Sequence, residues 1–435
     1  MENVPLLMFL VLFIALAMGI PIAFALTLVA LVFGWSLWGV GGMKLLVTAA
    51  WGTMNNFALL AVPLFIFMAL ILQKSRVVED IYDSFYKWSG PLRGGLAVAT
   101  ILVGAILGAV SGVVAAGVIG LGLIGLPQML KYGYDQRISL GSVMAGGTLG
   151  QLIPPSTNMV IYGAVTGVSV GSLFAGGLTC GTFLALLYCG YILTCSLFNP
   201  KVCPALPLED RVDFRGKIRA LRKVFLPSLL ILLVLGSVLS GAATPTEAAA
   251  VGAVGALFFS AVTRRLNWGI IGSASLETLE ISSMVGWIVI AASAFGAVFS
   301  GTGGNRLVTE IAMSLPGGPW MVFLASVIFV FFLGMFLEPT AMIMLAAPIV
   351  SPILSKLGFD PLWWGLVFMV LLQVAYLSPP FGFSLFYMRG AAPDHIGIEE
   401  IYMSSLPFIG LQFLSLVFLV FFPSIALWLP RLLLS

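Results

Sequence analysis

The chain has 435 residues, 60% of them hydrophobic and only 9% charged, where soluble chains carry roughly 25% charged residues. Charge-free apolar runs longer than the ~20 residues a helix needs to cross a bilayer predict an all-α polytopic membrane protein and not an outer-membrane barrel. A soluble enzyme and a nucleic-acid binder are excluded, and with a formal net charge of only +3 the placement of Lys and Arg carries the information.

Glu2 precedes the first apolar run without a basic flank, which predicts a first span and not a cleaved signal peptide. Further spans are predicted near 20–40 and 55–73, after the first near 4–18. Gly94 to Leu130 is one long apolar stretch with Ser111 and Gly112 at its middle. That middle is either the tip of a hairpin that enters and leaves on one side, or a turn between two ordinary spans. A segment interrupted at Pro154-Pro155 and a final span follow. Cys180, Cys189, Cys195 and Cys203 lack metal-ligand spacing and read as packing residues. Beyond a basic stretch, spans are predicted near 224–240, 245–263 and 281–299. Then come an apolar stretch from Pro319 to Ser355 centred on Glu338, Pro339 and Thr340, a segment broken at Pro379-Pro380, and a last span.

The second series repeats the first. Pro127, Gly133, Tyr134 and Asp135 of LPQMLKYGYD lie 225 residues before Pro352, Gly358, Phe359 and Asp360 of SPILSKLGFD. The Pro-Pro pairs and Pro91/Pro316 share that offset, and Pro21/Pro245 are 224 apart. Internal repeats of this kind are common in transport folds. The chain therefore divides into a first repeat at 1–200, a linker at 201–223 and a second repeat at 224–435. If the central stretch of each is a hairpin, each repeat crosses five times, and an odd count inverts the second.

The basic residues agree with this threading. Lys201, Arg211, Arg215, Lys217, Arg219, Arg222 and Lys223 mark the linker as cytoplasmic. Counting crossings from it brings Lys74, Arg76, Lys87, Arg93, Lys131, Arg137, Arg264, Arg265 and Arg389 to the same side. Only Lys44, Arg306, Lys356 and Arg431 of the 20 basic residues fall outside, and both termini come out external.

A helix broken inside a membrane exposes backbone groups that lipid cannot satisfy, so it is tolerated where it lines a cavity or an ion site. Proline has no N–H and stops the helix. Just after the first break stand Ser156, Thr157 and Asn158, and the second break offers Ser378, Gly382 and Ser384. Carbonyls ending one half-helix suit a small cation, and amides starting the next suit a carboxylate; a simple kink is the alternative. Glu338 gains a role if its tip is buried, whereas Glu247 reads as a helix N-terminal carboxylate. His395 is the only histidine. With no HExxH, paired-Asp or GxxxxGK[ST] motif in the sequence, an enzyme or an ATP-driven pump has no support.

The quoted segments, together with SGVVAAG, GGTLGQLIPPS, GAATPTEAAAVG, LEPTAM, LGFDPLWWG and LSPPFGFSLF, resemble the large membrane subunit of tripartite ATP-independent periplasmic (TRAP) transporters, of the ion-transporter superfamily. The resemblance covers essentially the whole chain. It implies two inverted repeats, each with a re-entrant hairpin and a broken helix, in an elevator of scaffold and transport domains. It further implies sodium-coupled uptake of an organic acid across the bacterial inner membrane, with periplasmic termini, a small four-span membrane subunit and a periplasmic substrate-binding protein. One sodium site would lie between Ser111, Gly112 and the break at Pro154, Pro155 and Ser156; the other would lie between Glu338, Pro339, Thr340 and the break at Ser378, Pro379 and Gly382. Ser156, Thr157, Asn158 and Ser384 would face the substrate. The run VVAAGVIG after Gly112 lacks the small polar and acidic residues common there, and Ser378 stands where threonine is usual. The nearest rival is a self-sufficient sodium/carboxylate symporter of the same superfamily; a membrane-embedded enzyme is a distant third.

Overall fold

In a computed structural model the described residues, 3–111 and 114–434, are helical throughout, with no strand among them. The first series runs α1 (Val4–Ala17), α2 (Ile22–Trp38), α3 (Val40–Met54), α4 (Ala61–Lys74), α5 (Val77–Ser89), α6 (Gly95–Ser111), α7 (Val114–Lys131), α8 (Gln136–Thr148), α9 (Thr157–Thr166) and α10 (Val170–Phe198). The second runs α11 (Phe214–Leu239), α12 (Pro245–Val262), α13 (Trp268–Gly301), α14 (Gly304–Ser314), α15 (Pro319–Gly334), α16 (Pro339–Lys356), α17 (Pro361–Leu377), α18 (Phe383–Ala391) and α19 (Ile398–Phe421), and α20 (Ser424–Leu434) packs against α10. Among the described residues, six helical stretches are long and apolar enough to cross a membrane. Large apolar side chains such as Phe24, Leu232 and Phe258 lie exposed, as a lipid-facing surface requires.

The spans read from sequence coincide with α1, α2, α4 and α12, while α11 starts at Phe214, ten residues before the expected span and inside the stretch read as linker. The sixth is longer than expected: α13 starts at Trp268, where the Asn267 side chain accepts from the Ile270 N–H at 2.8 Å. The amphipathic helices α5 and α14 and the short α3 and α20 were not legible as spans, being too polar or too short.

Residues 225 apart do the same work. Gly133 and Gly358 end α7 and α16 with positive φ (75° and 90°), a region open to glycine at little cost. Two residues later Asp135 caps α8, accepting from Arg137 N at 2.9 Å and Ile138 N at 3.2 Å. Asp360 caps α17 in the same way, through Leu362 N at 2.8 Å and Trp363 N at 3.0 Å. Packing partners exchange likewise: α4 meets α12 as α13 meets α2, α9 meets α16 as α18 meets α7, and α8 meets α19 as α17 meets α10. At the centre the Gln373 side-chain amide donates to Thr148 O at 2.7 Å, a contact between positions 225 apart. The half-helices α8 and α17 are buried almost from end to end.

The basic loops meet at one end of the bundle. Arg265 donates to Ser75 O at 3.0 Å and pairs with Asp80, Lys74 pairs with Glu277 at 2.8 Å, and the Trp88 indole donates to Lys217 O at 3.1 Å. The linker is held to the base of α6 and α7 by backbone bonds, from Gly94 N to Cys203 O (3.0 Å), Asp135 N to Val202 O (2.8 Å) and Leu206 N to Gly90 O (3.1 Å). Burial there pushes the Cys203 thiol up to about 12, so it is a packing residue and not a reactive one. Thr244 and Glu247 form a reciprocal capping box at the start of α12, with Thr244 N donating to Glu247 at 2.8 Å.

Glycine sets the spacing of α6 against α8. A side-chain carbon on Gly108 would lie 1.8 Å from the Gly150 Cα just past the end of α8, and one on Gly104 would lie 2.4 Å from the Gly146 carbonyl, a close backbone approach typical of membrane helices. Gly108→Val is therefore expected to force the backbones apart, at a cost of about 1–3 kcal/mol or more. Thermal melting with size-exclusion profiles in detergent should show a lowered Tm and loss of the monodisperse peak. Gly190→Val, where a side chain meets nothing within 4 Å, should behave as wild type.

Candidate functional site

The first interrupted helix runs through α8 and a short turn at 149–151, is irregular over 152–156, and resumes as α9; the second ends at Leu377 and resumes as α18 at Phe383. At each break a serine hydroxyl satisfies a freed carbonyl. Ser156 Oγ donates to Gln151 O at 2.6 Å, and Ser384 Oγ donates to Tyr376 O at 2.7 Å. Ser378 Oγ bonds back to Val374 O at 2.7 Å. Gly382 donates to Ser378 O at 3.0 Å. A side-chain carbon on Gly382 would lie 2.6 Å from Tyr376 O and 2.8 Å from Ser378 O, so two carbonyl oxygens converge on the bare face of this glycine.

A cavity of about 130 Å³ brings the two breaks and the second tip together. One wall is Val62 and Ile66 of α4 with Ile281, Met284 and Val285 of α13, wholly apolar. The polar groups come from the breaks, the second tip and the helices that follow them: Gln151, Thr157, Asn158, Glu338, Thr340, Tyr376 and Tyr387. Among the described residues no Lys, Arg or His lines it. Glu338 is half-buried and its Oε1 is enclosed with no hydrogen-bond partner. The Phe336 ring, two residues before Glu338, packs on Phe381 of the second break at 5.6 Å between centroids.

Three helices begin at this cavity. Thr157 and Asn158 open α9, Pro339 and Thr340 open α16, and Phe383 opens α18, and all of these line it, beside Val114 and Ala115 of α7. The residues preceding α9, α16 and α18 make no side-chain cap. Helix N-termini carry partial positive charge and outward-pointing N–H groups, so the cavity offers an anion several such ends in place of a basic side chain.

Of the residues singled out from sequence, Thr157, Asn158, Glu338, Pro339 and Thr340 line the cavity. Ser156, Ser378 and Ser384 are buried beside it with their hydroxyls on backbone carbonyls. Pro154 and Pro155 are buried in the first break, and Pro379 and Gly382 lie in the second. Ser111 is the last residue of α6, and Gly112 lies outside the described residues. Gln151, Tyr376 and Tyr387 were missed; the first two sit just upstream of the breaks and are 225 apart, a signal the sequence contains. A larger cavity of about 460 Å³, with Asn56, Ser293 and Asn305 in its lining, lies between α3, α13 and α14 and the helices α9 and α16; among the described residues its lining includes neither break nor tip and no charged side chain.

Comparison with known proteins agrees with this architecture. The chain is 33% identical to the C4-dicarboxylate TRAP transporter large permease protein DctM of Pseudomonas aeruginosa, over 87% of each chain. It is 29% identical to the sialic acid TRAP transporter large permease protein SiaM of Vibrio cholerae, over 96% of each. Among solved structures, the YdaH transporter of Alcanivorax borkumensis is similar with a TM-score of 0.61 at 17% identity, covering 96% of this chain and 98% of that one. The MtrF structure of Neisseria gonorrhoeae also has a TM-score of 0.61, at 14% identity, covering 90% and 85%. These two likenesses concern the fold alone. Residues 9–425 match the family described as tripartite ATP-independent periplasmic transporter, DctM component; the chain belongs to that family and is a multi-pass membrane transport permease, not an enzyme.

Proposed function

We propose that the chain is the large membrane subunit of a sodium-coupled tripartite importer that carries an organic acid from periplasm to cytoplasm by an elevator motion. The observation that carries this reading is the division of the cavity lining by element, whose polar groups and helix ends come from the breaks and the second tip while α4 and α13 contribute only apolar side chains. A site whose ligands all sit on one body can travel with that body along a greasy face, without breaking polar contacts to the other. The repeats at 1–200 and 224–435 would each supply half of both bodies, as the exchange of packing partners supports.

An organic acid is supported by the converging helix N-termini and by relatives named for C4-dicarboxylates and sialic acid. With no basic side chain in the lining among the described residues, its carboxylate would rely on those helix ends and on bound cations. The second sodium site fits its residues: Tyr376 and Ser378 each offer a carbonyl oxygen with a lone pair beyond the hydrogen bond it accepts, and Glu338 supplies negative charge nearby. Among the described residues no three His, Cys, Asp or Glu side chains gather, so a cation here would be held by carbonyl and hydroxyl oxygens. The first site would use the end of α6 and the break at 154–156. Sodium, when bound, supplies the charge and the coupling; Thr157, Asn158 and Thr340 would orient the cargo. The partners would be a small four-span membrane subunit and a periplasmic binding protein that delivers the substrate, in the bacterial inner membrane with both termini periplasmic.

Three outcomes are expected. Uptake into proteoliposomes, with the small subunit and binding protein supplied, should require an inward sodium gradient; uptake driven equally by potassium, or by ATP alone, contradicts the coupling. Glu338→Gln should assemble normally and raise the sodium concentration for half-maximal uptake by about tenfold, or ~1.4 kcal/mol of ion affinity; an unchanged sodium dependence at full rate makes Glu338 a bystander. In a background without native cysteines, Lys217→Cys and Arg306→Cys should label from opposite faces of the membrane, and labelling from one face removes the inverted-repeat topology.

A further inference from the structure

At the end of the bundle that carries the basic linker, a groove of about 400 Å³ opens between α5, α6 and α11. Its walls are almost entirely apolar and include Trp88 of α5, Val98 and Leu102 of α6, and Leu221 of α11, with Leu92 at the mouth. Trp88, Leu92 and Leu221 remain exposed despite their size, so the trough opens on the outer surface of the chain and not into its interior.

Cations surround the mouth. Lys217 lies one turn before Leu221, on the same face of α11, with its ammonium 5.8 Å from the centroid of the Trp88 ring. Arg93 follows Leu92 in the loop and is exposed. Nearby acids have partners of their own. Asp83 takes Lys87 at 2.7 Å, Asp213 caps α11 through Gly216 N at 2.9 Å, and Asp210 accepts from the Tyr132 hydroxyl at 3.1 Å. An apolar trough under a cationic rim, with a tryptophan at the boundary, has the shape and charge of a phospholipid site selective for a negative headgroup.

We propose that this groove binds one anionic phospholipid, with an acyl chain along Val98 and Leu102 and the phosphate between Lys217 and Arg93. The lipid would bridge α11 and the base of the α6–α7 pair through the connecting helix α5. The site is separate from the cargo cavity, and the proposal stands whatever that cavity carries.

Native mass spectrometry of the full chain, purified in mild detergent and supplied with phosphatidylglycerol or phosphatidylcholine, tests it. The wild type should retain one phosphatidylglycerol per chain with a preference of about tenfold or more over phosphatidylcholine. Lys217→Glu combined with Arg93→Glu should remove that preference while leaving the fold intact, since the bond from Trp88 goes to the Lys217 backbone. Leu221→Trp should fill the trough and abolish retention of both lipids. Equal retention of the two lipids by the wild type, or retention unchanged in both variants, overturns the proposal. So does a photoreactive side chain at position 221 that crosslinks, in membranes, to a helix of the small membrane subunit and not to lipid.

Discussion

Backbone carbonyls and amides freed where a helix stops within a membrane find no water, and each one left bare costs several kcal/mol. In this chain two helices stop in that way, and the rest of the architecture answers the resulting demand. One carbonyl at each break, of Gln151 and of Tyr376, is met by a serine hydroxyl from the chain beyond. Those carbonyls are 225 residues apart, yet the serines are not at equivalent positions. The two repeats therefore share the problem and reach the same remedy separately, which points to the satisfied carbonyl as the constraint and the particular serine as one way of meeting it.

The groups that no side chain satisfies define the cavity. The starts of α9, α16 and α18 lie there because the breaks and the second tip meet at one place. They meet because α9 packs on α16 and α18 on α7, across the repeats. Neither repeat could build this site alone. The side chains that α4 and α13 add to the cavity are apolar, which leaves the breaks and the second tip as the source of its polar groups among the described residues.

Much of this was legible because it depends on residue types with few substitutes. Paired prolines, the Gly-Tyr-Asp and Gly-Phe-Asp endings and the clustered Lys and Arg residues each have one strong local meaning, and their 225-residue spacing carried that meaning into the fold. The direction of a hydroxyl is not encoded so plainly. Ser156 and Ser384 read as substrate contacts, but their Oγ atoms are turned to the backbone, while Tyr387 reaches the cavity from a position with no local signature. The early start of α13 and the helices α5 and α14 were also illegible, since an amphipathic segment at a membrane surface lacks the length and uniform hydropathy that announce a span.

The backbone bonds between the linker and the base of α6 and α7 make the two halves mechanically unequal. Residues 202–206 are stapled to the loops at 90–94 and 132–135, so any displacement of that hairpin drags the linker with it. Slack must then come from the seven residues between Leu206 and the start of α11 at Phe214, a leash of about 25 Å when fully drawn out. Under the elevator motion proposed above, that leash would set a stop to the stroke of the first hairpin.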